Sequence, residues 1–80
     1  MSHSNPPNPQ PTTDELIAAE VRAELGRKEL SYAALARETG IAESSLRLRL
    51  KARVPFRVSE LETVAGVLHV PVEQFLRGAA

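Results

Sequence analysis

The chain has no cysteine and no tryptophan, and its only aromatic residues are Tyr32, Phe56 and Phe75. Without thiols, neither a disulfide nor a thiolate metal site can reinforce the fold, so apolar burial has to hold it. For the same reason the sequence carries no signal of redox compartment. No apolar run reaches the ~18 residues that cross a bilayer, and the N-terminus has neither basic residues nor an apolar signal core. The expectation is a soluble, cytoplasmic protein with no membrane partner. Eighty residues allow one small domain with no room for a large catalytic cleft, since a chain this short buries only about 60% of its unfolded surface. A hydrophobic fraction of 42% suffices for that single core.

Net charge is missing too. Ten basic residues cancel ten acidic ones, so the strongly basic balance usual in a nucleic-acid binder is absent. The zero hides a segregation. Between Glu43 and Arg57 stand Arg47, Arg49, Lys51, Arg53 and Arg57 against Glu43 alone, a local +4, whereas residues 1–42 and 58–80 each sum to −2. Charge gathered in this way sets up a directed field on one surface whatever the total.

Residues 1–12 form a Pro/Asn/Ser-rich tail with no charged side chain and no apolar one beyond Met1. It is expected to be disordered, because it cannot bury enough surface to offset the entropy of ordering. Residues 13–80 carry the pattern of an all-α domain of five helices. Thr12 and Glu15 make a capping box ahead of Ile17, Val21 and Leu25, which gives a first helix over about 13–27. Ser31 caps a second helix, about 32–39, with Leu35 and Ala36 inward and Gly40 as its left-handed end. Leu46 and Leu50 share the inner face of a third, about 43–52. Ser59 and Glu62 form a second capping box for a fourth, about 59–68, with Leu61, Val64, Ala65 and Leu68 buried. Pro71 starts a last short helix carrying Val72, Phe75 and Leu76, ended by Gly78. No strand pattern and no internal repeat is visible.

Two short helices joined through a glycine turn, the second followed by cations, have the layout of a helix-turn-helix reader. With about 100° per residue and Leu46 and Leu50 in the core, the outer face of the third helix carries Ser44, Arg47, Leu48 and Lys51. On that face Ser44 permits close approach, Arg47 suits the O6/N7 edge of guanine and Leu48 suits a thymine methyl. Arg49, Arg53 and Arg57, on the flank or past the helix end, are better placed for phosphates.

At these residues the sequence resembles the Cro/CI-type, lambda-repressor-like helix-turn-helix family. The resemblance rests on Leu30-Ser31, Leu35-Ala36, Gly40-Ile41 and Leu46, followed by Pro55-Phe56, Val58, Glu60-Leu61, Val67-Leu68 and Val70-Pro71. It covers about residues 14–77, and the last stretch is similar to small phage and actinobacterial regulators. It implies a sequence-specific, double-stranded DNA-binding repressor or Cro-like regulator in a bacterial cell or phage-infected host. The third helix would lie in the major groove, commonly as a homodimer on a near-palindromic operator. It also implies phosphate contacts at the start of the second helix, where Ser31 stands and Tyr32 replaces a common Gln.

Three further positions depart from the family pattern. Ala42 replaces the usual Ser or Thr cap of the recognition helix, at about 1 kcal/mol. Glu43 replaces a residue that is often polar or basic, and near phosphates a carboxylate is tolerated where it accepts from a cytosine amine, so Glu43 joins Ser44, Arg47, Leu48 and Lys51 as a base-contact candidate. His69 replaces a helix-ending Gly and is expected in the left-handed conformation.

The competing readings are blander. Four cations on a short helix can simply keep it soluble. The same fold can also dock a partner protein, as an antirepressor or regulatory adaptor would, which suits the neutral net charge and Glu43. The feature that separates DNA reader from protein adaptor is whether the basic segment is continuous with the start of the second helix. Enzymatic activity has no support: Ser44 and Ser45 lack a His or Lys base. His69 has no second ligand at metal spacing, and no cofactor or small-molecule site is evident.

Overall fold

A computed structural model describes residues 10–77. Residues 1–9 of the expected tail and the expected helix stop at Gly78 lie outside them. The described residues form five helices and no strand: α1 (Thr13–Lys28), α2 (Tyr32–Thr39), α3 (Glu43–Leu50), α4 (Val58–Leu68) and α5 (Glu73–Leu76). None is long and apolar enough to cross a membrane.

α1 starts as its sequence dictates. Thr12 Oγ1 accepts from the Glu15 amide at 3.1 Å while Glu15 carboxylate accepts from the Thr12 amide at 2.8 Å, so two orphan donors are satisfied reciprocally. Asp14 and Glu15 at one end and Arg27 and Lys28 at the other complement the helix dipole. Its inner face buries Ala18, Val21 and Leu25, and it packs against α3, α4 and α5. α2 packs on α3 and α4. The core closes with Leu35 and Ala36 from α2, Leu46 and Leu50 from α3, Leu61, Val64, Ala65 and Leu68 from α4, and Phe75 from α5.

Three sequence expectations need correction. α3 ends at Leu50 rather than 52, because Ala52 turns left-handed, with φ of 58°. α4 begins one residue early, and its capping pair is Arg57 and Glu60 rather than Ser59 and Glu62: the Glu60 carboxylate accepts from the Arg57 amide at 2.8 Å. α5 begins at Glu73 rather than at Pro71, and it buries Phe75 while leaving Leu76 exposed, since a four-residue helix turns only one side to the core.

Candidate nucleic-acid interface

The angle at which α3 leaves the core is set by the turn before it. Gly40, with φ of 77°, ends α2 and donates its amide to the Ala36 carbonyl at 2.9 Å. Thr39 Oγ1 donates to the Leu35 carbonyl at 2.8 Å and accepts from the Ile41 amide at 3.2 Å. With both sides of the turn tied, Ile41 reaches the core and α3 starts at Glu43. Its cap residue Ala42 makes no side-chain bond, as the sequence implies. Leu46 and Leu50 are completely buried, which fixes the helix rotation. Glu43, Ser44, Arg47 and Leu48 are exposed in consequence, and Lys51 is exposed just past the helix end.

Ser44, Arg47 and Leu48 lie on the outer face expected of them, whereas Lys51 follows the helix instead of belonging to it; Glu43, Arg47 and Tyr32 carry contacts that the sequence does not mark. Arg47 donates from Nε at 3.1 Å and Nη2 at 2.8 Å to one oxygen of Glu43. The same guanidinium lies 5.2 Å from the centre of the Tyr32 ring, inside the range of cation–π attraction. That contact joins the first residue of α2 to the outer face of α3. Ser31, just before it, accepts from the Ala34 amide at 3.0 Å and keeps its hydroxyl proton for a further acceptor.

Arg49 departs from expectation. Placed at a phosphate by its charge and position, it instead donates from Nε to Glu60 at 2.8 Å and from Nη1 to the Ser45 carbonyl at 3.2 Å. Its side chain is only 13% exposed. One turn separates Arg49 from Ser45, and Glu60 sits in the first turn of α4, so the guanidinium ties α3 to α4 and turns away from solvent. Burial pushes the Glu60 carboxyl up. The Arg57 amide and the bonded, charged Arg49 outweigh it and hold the group below its usual range.

The remaining cations, Lys51, Arg53 and Arg57, are exposed and make no ion pair among the described residues. From 43 to 60, five cations face Glu43 and Glu60, a net +3, and its unpaired share lies past the end of α3. That end is anchored by Arg22 of α1, whose guanidinium donates to the Leu50 carbonyl. Nothing in the sequence marked Arg22, because its partner is a backbone atom 28 residues away.

No family model and no curated protein sequence matches the chain. Among solved structures it is similar to the crystal structure of a hypothetical transcription factor, NHTF, from Neisseria, with a TM-score of 0.76 and 24% identity over 90% of this chain and 84% of that one. The five-helix arrangement on which Arg47, Tyr32 and the basic segment are mounted is therefore a fold that the Neisseria protein shares.

Proposed function

We propose that this protein is a sequence-specific double-stranded DNA-binding transcriptional regulator of the repressor or Cro-like kind, with α3 in the major groove. The observation that carries this reading is the contact between Tyr32 and Arg47. It brings Arg47, one of the five cations of the basic segment, against the start of α2, which supports the continuity expected of a DNA reader rather than of a protein adaptor. The name of the Neisseria neighbour points the same way. Arg47, Ser44, Leu48 and Lys51 face base edges, while Ser31, Tyr32, Arg53 and Arg57 face phosphates. Base contacts carry the specificity and phosphate contacts the salt-dependent affinity. A single module of this size makes few contacts, so the functional unit on DNA is a homodimer with recognition helices about 34 Å apart on a near-palindromic operator.

Selection of bound sites from random duplexes, followed by titration on the selected and a scrambled sequence at several salt concentrations, tests this. Arg47→Ala is expected to cost about 1–3 kcal/mol on the selected site and to flatten preference at one base position. Arg53→Ala and Arg57→Ala should weaken both duplexes alike and reduce the salt slope by about one per contact. Absence of salt-dependent retention on duplex DNA would sink the reading in favour of protein docking. One chain on a single asymmetric half-site at saturation would sink the dimer alone.

A further inference from the structure

The exposed face of α3 presents a carboxylate and a guanidinium already bonded to each other. We propose that Glu43 and Tyr32 are positioning residues that set Arg47 for guanine, and that Glu43 makes no base contact of its own. The inference rests on the DNA-binding reading above and concerns how that surface discriminates.

An arginine carries five N–H donors in one plane. Glu43 occupies the side edge, taking Nε–H and one hydrogen of Nη2. Left open is the end edge, where Nη1 and Nη2 each keep a hydrogen pointing the same way. Two parallel donors at that edge match the O6 and N7 acceptors that guanine alone presents side by side in the major groove. The ion pair restrains rotation of the guanidinium within its plane. The Tyr32 ring, 5.2 Å from the cation, restrains tilt out of it. Together they limit the rotamer freedom that a long side chain otherwise loses on binding. They also explain why an acidic residue is tolerated on a face turned toward phosphates, since Arg47 neutralises it.

An exposed ion pair with side chains 49% and 43% accessible adds little to folding. The signature of positioning is therefore a loss of discrimination without a loss of fold. Glu43→Ala and Tyr32→Leu should each reduce preference for guanine at the Arg47 position about three- to tenfold on single-base variants of the selected operator. In an Arg47→Ala background, Glu43→Ala should change discrimination no further. Glu43→Gln, which keeps an acceptor, should retain most of it. Tyr32→Phe keeps the ring and the discrimination while lowering affinity for all sequences through the lost hydroxyl.

Tyr32 also packs on the core, so helicity of the Leu variant is checked by circular dichroism. Glu43 is exposed and gives an independent reading. In the free protein, the Nε–H of Arg47 should exchange with solvent more slowly in wild type than in Glu43→Ala. Equal exchange rates, additive effects in the double mutant, or a second base position that Glu43→Ala flattens even without Arg47 would each overturn the proposal. Failure of the wild-type protein to prefer any duplex would instead overturn the functional reading itself, so the two failures are separable.

Discussion

Each of the first four helices is followed by a residue in the left-handed region: Glu29 (φ 56°), Gly40 (77°), Ala52 (58°) and His69 (60°). Only Gly40 takes that conformation without a Cβ penalty, which for other residues is about 1–2 kcal/mol. Gly40 and His69 were legible as helix ends, because their residue types tolerate the region. Glu29 and Ala52 give no such signal; there the backbone closure imposes the conformation. At Ala52 the Arg53 amide reaches back to the Leu48 carbonyl at 2.8 Å and the Ala52 amide to Arg49 at 3.0 Å, so the last carbonyls of α3 are satisfied only if residue 52 is left-handed. Both ends of α3 thus carry an alanine where another residue fits better. Ala52→Gly should raise stability by about 1 kcal/mol, and Ala42→Ser, by capping the first turn, by about 1 kcal/mol as well. Urea unfolding would read each as a higher midpoint at unchanged slope. Midpoints equal to wild type in both variants would show that neither end is strained or undercapped.

At the scale of elements, the rotation of α3 was readable because two leucines one turn apart can both be buried only in one orientation. Partnering of its charges was not. The Arg47 and Glu43 pair lies within one helix at i, i+4, a spacing that sequence shows but that does not exclude a base contact. The Arg49 and Glu60 bond crosses 11 residues and a loop, and it depends on α4 starting at Val58, one residue before the Ser59 start that its sequence suggests. The Arg57 cap and the Arg49 ion pair converge on one Glu60 oxygen, so this carboxylate fixes the angle between α3 and α4. Arg49→Ala should therefore lower stability by roughly 1.5–3 kcal/mol, the range for hydrogen bonds to a charged group. It should leave the salt slope of DNA binding unchanged. A drop of about one unit in that slope at unaltered stability would return Arg49 to the phosphates.

Across the described residues, apolar stripes foretold most of the core, and what they missed is what holds α5 to α1. α5 has four residues, too few to persist alone. It stays because Phe75 is fully buried and because the Gln74 amide donates to Glu24 of α1 at 2.7 Å. Glu24 is 5% exposed, the one buried charged residue among those described. A stripe built from apolar positions cannot find it, since its burial depends on partners from its own next turn, Arg27 at 2.6 Å and Lys28 at 3.8 Å, and on α5. Burial pushes its carboxyl up, but the bonds from Arg27 and Gln74 and the charges of Arg27 and Lys28 outweigh that and hold it below the ordinary value of 4.5. A carboxyl lowered in the folded state stabilises the protein fully above its ordinary pKa, and that contribution is lost as pH falls through the lowered folded value. Wild type should therefore lose stability as pH drops below 4.5, with the Glu60 group, lowered likewise, contributing to the same descent. Glu24→Gln should be less stable than wild type at neutral pH, yet the gap should narrow on acidification. Urea midpoints from pH 7 to pH 3 would check this, with near-ultraviolet circular dichroism reporting the environment of Phe75. Curves for the two proteins that run parallel throughout would show that Glu24 does not clasp α5 to α1 as a carboxylate.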